Sequence, residues 1–222
     1  MDKRFRVGQY SQEDILEKLI FPNNEQHKGL FIEIGSWDGI DISNSYWLEK
    51  CKDWTGLLVE PINSKADWAK HNRWCDVWNG CVYNRDGEVE FTHINGYSEM
   101  LSGIEEAYHP SQKERVNKEI TQFNQTVEKI KLPCKTINSL MDTKNLKKAD
   151  FLSLDVQTAE LQVLKAYDPV KNPIKAILLD MNGSNQTELI KWFRDNNYKL
   201  YWKHPEIDEH IFVHSEFKWT WE

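Results

Sequence analysis

Acidic residues and glycines crowd one short stretch, Glu33-Ile34-Gly35-Ser36-Trp37-Asp38-Gly39, where an apolar run stops and a helix-like pattern begins. Gly35 lets backbone approach a ligand closely, and Gly39 permits an unusual φ before the helix. A dinucleotide fingerprint would read G-x-G-x-x-G; this turn reads G-x-x-x-G, and Glu33 and Asp38 would repel a pyrophosphate. A cationic ligand with an amino-acid end suits it better, and S-adenosylmethionine, with its sulfonium and ammonium, is such a ligand. The plain alternative is a structural strand-to-helix turn. Glu60 closes the next apolar run, just before Pro61, where an acidic residue can accept hydrogen bonds from two ribose hydroxyls. That feature is common to nicotinamide and S-adenosylmethionine proteins, and a surface glutamate at a strand end would look the same.

Further acids stand at later strand ends. Asp155 and Asp180 are candidate general bases for activating an alcohol, as is His93, which ends an alternating stretch. Asp155, Asp180 and Asn182 together offer three oxygen ligands that would suit Mg²⁺, a hard cation that keeps waters. The bland readings are that Asp155 bonds loop N–H groups, Asp180 caps a helix and His93 is structural. Trp37 and Tyr97 are placed to stack on an adenine or a sugar, or simply to pack.

Short apolar runs position these residues. "GLFIEIG", "GLLVEP", "CDVWNGCVYN", "ADFLSLDV" and "IKAILLDMNG" read as buried strands. Helical patterns intervene at residues 43–50, 63–73 (with Asn63 as N-cap), 158–167 and 185–197. "EVEFTHI" alternates like a strand with one wet face. "SQEDILEKLIF" reads as a capped first helix, part of an N-terminal helical cover over residues 1–28. "YKLYWK" and "EHIFVHS" close the chain as a strand pair. Alternating short strands and helices imply an α/β fold with a mostly parallel sheet covered on both faces, and an antiparallel pair at its edge. Ligands in such sheets sit outside the C-terminal strand ends, at Gly35, Glu60, Asn79, Asp155 and Asp180. Residues 95–125, charged and irregular, read as a helical excursion or lid over an acceptor.

The 222 residues favour one domain. Forty per cent are apolar and 28% charged, and the net charge of −7 makes nucleic acid an unfavoured partner. No apolar stretch approaches the roughly 20 residues of a membrane span. No signal peptide is read at the start. Four cysteines without C-x-x-C spacing fit free thiols in a reducing cytoplasm. Ten tryptophans are many, and a minority could line a sugar-binding groove.

"YSQEDIL", "FIEIGSWDG", "SNSYWLEK", "WTGLLVEP", "NGCVYNRDGEVEF" and "DFLSLDVQTAELQVLKAYD" occur in the order seen in the FkbM-like S-adenosylmethionine-dependent methyltransferases, which the chain resembles from about residue 10 to 180. The resemblance implies a class I methyltransferase (Rossmann-like) fold, a seven-stranded sheet with a reversed last strand. It also implies O-methylation of sugars or polyketide-type hydroxyls. It places Gly35 and Asp38 at the methionine end of the cofactor, helped by Ser43 and Asn44. Glu60, beside Pro61, would hold the ribose. Asn79 and its neighbour Gly80 would line the adenine, Asp155 and Val156 would border the site, and Gln12 would cover it. The chain departs from the family at one place. Where the family usually reads Asp-x-Glu-Gly-x-Glu, this sequence reads Asp155-Val156-Gln157-Thr158-Ala159-Glu160. A role that needs a negative charge at 157 is lost.

The reading is therefore an S-adenosylmethionine-dependent O-methyltransferase, with Mg²⁺ as a possible second cofactor. The acceptor would be a sugar or glycoconjugate, and the chain could be fused to or associated with glycan-synthesis enzymes. Two alternatives stand beside it: a catalytically silent methyltransferase-like binding module, which Gln157 keeps open, and a nicotinamide-dependent oxidoreductase.

Overall fold

The computed structural model describes residues 5–10, 12–20, 27–181 and 185–216. Its frame is a seven-stranded sheet in the order β10-β11-β9-β8-β1-β2-β3. The strands are β1 (Leu30–Ile34), β2 (Thr55–Glu60), β3 (Asp76–Asn79), β8 (Ala149–Leu154), β9 (Ile174–Asp180), β10 (Tyr198–Lys203) and β11 (Glu209–His214). Strands β3, β2, β1, β8 and β9 run parallel; β11 is antiparallel to both β9 and β10. The expected antiparallel pair thus closes the sheet, with its reversed member one place in from the edge.

Side-chain alternation assigns the two faces. Phe31, Leu58, Phe151, Leu178 and Ile211 pack with α1 (Gln12–Ile20), α2 (Tyr46–Lys52) and α3 (Asn63–Asn72). Ile32, Ile34, Val59, Leu152, Leu154, Ile177 and Phe212 pack with α5 (Ile137–Thr143), α6 (Glu160–Lys165) and α7 (Gln186–Asp195). The Phe193 ring of α7 stacks on Phe212 with centroids 3.7 Å apart.

A second, four-stranded sheet has the order β4-β7-β5-β6 and leans on the α5–α7 face. It comprises β4 (Cys81–Val82), β5 (Gly87–Asn95), β6 (Gly103–Ile104) and β7 (Thr126–Lys135). The sequence predicted one strand over residues 75–84; the chain instead breaks at Gly80 and passes from one sheet to the other. A Cβ at Gly80 would lie 2.7 Å from the Trp78 ring and 2.8 Å from the Pro133 carbonyl oxygen, so the crossing needs glycine. The expected excursion contains α4 (Pro110–Gln122), which ends in β7 pairing along all of β5.

Other boundaries shift for local reasons. Helix α2 begins at Tyr46 because Ser43 and Ser45 are taken up by Glu33. Asn63, expected as an N-cap, is the first residue of α3 and Ile62 stands at the cap. Ser11, the start of the expected first-helix cap, and the end of the strand reading through Gly183 lie outside the described residues. None of the four cysteines forms a disulfide. Among the described residues no helix is long and apolar enough to cross a membrane.

Candidate active site

The C-terminal ends of β1, β2 and β8 are stitched together. Gly35 N and Ser36 N both donate to Val59 O, at 3.0 and 3.1 Å, and Asp155 N donates to Ile34 O at 3.0 Å. Gly35 has φ +84°, and a Cβ there would sit 2.2 Å from the Asp155 carbonyl oxygen. The glycine that the sequence marked for close approach is therefore demanded first by the protein's own backbone.

Above this seam opens a cleft. Gly35, Trp37, Glu60, Pro61, Gly80, Asp155 and Val156 all line it, joined by Phe91, Glu99 and Met100 from the second sheet and its connections. Glu60 is buried, accepting from Trp37 N at 2.9 Å and Ile62 N at 2.8 Å. Burial pushes its carboxyl up to about 8, against the pull of those two N–H groups, with Asp155 and Glu99 adding like charge.

A second cavity of about 550 Å³ lies on the other side of Asp155. Gln12, Asn44, Asp155, Asp180 and Glu209 line it, with Tyr10 from the N-terminal cover. Asp155 reaches solvent through the cleft, yet protein crowds it from all sides. That crowding, and then the charge of Asp180, push its carboxyl up to about 6, opposed by Gln157. Burial takes Glu209 to about 7, opposed by the Gln12 amide and reinforced by Asp180 and Asp155. Among the described residues lining this cavity none is basic.

The remaining sequence candidates support the site from outside it. Glu33 points to the α2–α3 face, where Ser43 Oγ donates to it at 2.7 Å and Asn44 N at 2.8 Å. Asp38 Oδ1 accepts from Ile40 N and Asp41 N, closing its own turn. Gly39, with φ +82°, packs over Arg73 and Ala69. Asn79 does not line the cleft; its Nδ2 donates to Glu60 O at 2.8 Å and Pro61 O at 3.0 Å, fixing the turn that does. His93 also stands back from the cleft, with Nε2 3.0 Å from Glu99 Oε1.

The expected magnesium site finds no support. Among the described residues no group of three His, Cys, Asp or Glu side chains has the arrangement to hold a metal ion. Asn182 lies outside the described residues.

Sequence reasoning missed Arg73. It is buried beneath the glycine turn, donating to Gly39 O at 2.9 Å, Ser43 Oγ at 3.2 Å, Ser45 Oγ at 3.0 Å and Glu49 Oε1 at 3.1 Å. Glu33 lies 3.8 Å away. Burial works against charge on Glu49, but the Arg73 guanidinium and three hydrogen bonds hold its carboxyl below the ordinary range. An arginine next to Trp74 at the end of a helix carries no motif that would have announced this. Glu99 was missed as well. Lys65 pairs with it at 3.1 Å and lies 3.9 Å from the centre of the Trp37 ring, so the two walls of the cleft are clasped together.

Residues 33–200, more than half of the chain, match the sequence model of the methyltransferase FkbM domain. The chain belongs to that family. It is a methyltransferase domain by descent, and the strand order and the cleft at the carboxyl ends of β1, β2 and β8 are those of a class I methyltransferase fold. A search of curated proteins gave no match. Among solved structures, the FkbM-domain chain is similar to M. capricolum TrmK in complex with the natural cofactor product S-adenosyl-homocysteine. The identity is 12% and the TM-score 0.45, over 93% of this chain and 67% of that one. It is also similar to the human methyltransferase 10 domain containing protein, at 12% identity and a TM-score of 0.44, over 98% of this chain and 85% of that one.

Proposed function

We propose that this FkbM-domain chain transfers the methyl group of S-adenosylmethionine to a hydroxyl of a sugar or glycoconjugate. The observation that carries the reading is the convergence of Gly35, Glu60 and Asp155 on one cleft at three adjacent strand ends. The residues fit that cofactor. Once ionised, Glu60 keeps acceptor capacity on both carboxyl oxygens for a pair of ribose hydroxyls. Trp37, Pro61, Ile62 and Met100 offer apolar walls to the base. Asp155, backed by Asp180 and Glu209, supplies negative charge for an ammonium and a sulfonium. When bound, the cofactor would supply an electrophilic methyl group on sulfur.

The chain's own part is alignment and proton removal. Much of the rate of an in-line displacement comes from holding the reacting atoms in register. With its carboxyl near 6, Asp155 is ionised at neutral pH and able to take a proton from an acceptor hydroxyl. Asp180 contributes by its charge on Asp155, and His93 by orienting Glu99.

A sugar acceptor is favoured by the surface next to the cleft. The Tyr97 ring is 79% exposed and pairs with the exposed Phe123 ring at 4.5 Å between centroids. Tyr97 is two residues from Glu99, so its backbone lies within about 7 Å of the cleft rim. Flat sugar faces stack on such rings, and residues 95–125 would form the acceptor wall. The test is transfer from methyl-labelled S-adenosylmethionine to a panel of free sugars, glycosides and oligosaccharides. Label in any glycan hydroxyl supports the reading. Label only in nitrogen or carbon acceptors refutes the O-methyl assignment, and cofactor binding without transfer favours the silent-module alternative.

A further inference from the structure

Gln157 and Thr158 follow Asp155 after one residue, Val156, and both have left-handed backbone, with φ 52° and 76°. Two such residues in succession, one of them β-branched, are uncommon and persist only when their surroundings hold them. The excursion holds them. Thr158 Oγ1 accepts from His109 N at 2.9 Å and donates to Ala107 O at 3.3 Å, which docks the start of α4. From within α4, Gln112 Nε2 donates to Gln157 Oε1 at 2.9 Å, and Gln157 Nε2 donates to Asp155 Oδ1, also at 2.9 Å. Gln112 and Thr158 are both buried.

The direction of this chain of amides follows from chemistry. An ionised carboxylate only accepts, so it takes Gln157 by its NH₂. The Gln157 oxygen then faces away, and only a donor can meet it; Gln112 presents one. We infer that Gln157 is a positioning residue for Asp155, oriented from the excursion by Gln112, with Thr158 docking the helix that carries Gln112. The acceptor wall and the carboxylate that serves the cleft are thereby one mechanical unit. The inference rests on the proposed reading of Asp155 as the ionised carboxylate of the methyl-transfer site. Gln157, by its backbone N–H and its side-chain amide, counters the like charges that act on Asp155, those of Asp180 from β9 and Glu33 from β1; Glu60 from β2 and Glu209 from β11 also face it and are themselves raised by its charge.

The test is a carbon-detected NMR titration of the Asp155 carboxyl in the full chain. Gln157→Met keeps the bulk and the backbone N–H donor and removes only the side-chain donor; it should raise the midpoint by about one pH unit. Gln112→Met should raise it by about half as much, because Gln157 is then free to turn. The double variant should shift no further than Gln157→Met alone, since Gln112 acts through Gln157. Thr158→Val should speed hydrogen exchange across residues 107–116 about tenfold, and Thr158→Ser should not. An unmoved midpoint in Gln157→Met, or additive shifts in the double variant, overturns the inference. So does equal exchange in the two Thr158 variants. Wild-type protein that fails to bind S-adenosylhomocysteine would sink the cofactor reading and leave these results standing. Binding with an unmoved midpoint would sink the inference alone.

Discussion

The two cavities on either side of Asp155 are built from different materials. The larger has apolar walls from the glycine turn, the β2 end and the second sheet, with Glu60 as a buried acid. The smaller is polar, roofed by the N-terminal cover and set with Asp155, Asp180 and Glu209. The first offers shape and a pair of acceptors; the second offers field. A ligand with a flat apolar base and a diol at one end and a cationic amino acid at the other would have an end for each, and Asp155 is the charged residue they share.

The comparison can be broken most severely through what both cavities stand on. Arg73→Met leaves Glu33 as a buried carboxylate without its cation and Glu49 with only Lys50. A loss of about 3–5 kcal/mol in denaturant unfolding is expected, with binding in both cavities impaired. Gly35→Ala forces a Cβ against the Asp155 carbonyl at a positive φ. It should cost about 3 kcal/mol and displace Asp155 relative to Glu60, checked by the same unfolding curves.

Smaller changes separate the cavities. Glu60→Gln removes charge-assisted acceptance in the first alone, and should weaken S-adenosylhomocysteine binding about 10- to 100-fold by calorimetry. Asp180 lines only the second and reaches the first through its charge on Asp155, so Asp180→Asn should change the same affinity by no more than about threefold. Equal losses from the two variants would erase the division.

The pH dependence follows from the three raised carboxyls. Asp155 near 6, Glu209 near 7 and Glu60 near 8 all hold their protons more tightly in the folded chain than in the unfolded one. Their contribution to stability is complete below the unfolded values of 3.8 to 4.5 and is lost as pH rises through 6 to 8. The thermal midpoint should therefore fall between pH 5 and pH 8. Glu60→Gln should flatten the upper part of that fall, and Asp180→Asn should lessen the part due to Asp155 and Glu209. Ribose hydroxyls favour ionised Glu60, so nucleoside affinity should rise over the same interval.

Much of the frame was legible because buried parallel strands are short, continuous and apolar, and β1, β2, β8 and β9 announce themselves that way. Strand β7 did not. "TVEKIKLPCK" is mostly exposed and charged, with a proline inside, so its pairing with β5 comes from tertiary contact rather than local pattern. The candidate cleft was legible where its lining sits at a strand end, as at Glu60 and Asp155. It was misread where a side chain points the other way. Glu33 lies one residue from the cleft face and therefore belongs to the opposite one, bound to the serines before α2. Asn79 and Asp38 spend their polar atoms on turns. Arg73, Gln112 and Glu99 act across long sequence separations, which spacing alone does not reveal.

The most direct measurement is calorimetric titration of the full chain with S-adenosylhomocysteine at pH 8, for the wild type and for Glu60→Gln. The account predicts one site of micromolar affinity in the wild type and at least tenfold weaker binding in the variant. Folded wild-type protein that gives no binding, or a variant that binds as tightly, would contradict the assignment of the Gly35–Glu60–Asp155 cleft to this cofactor.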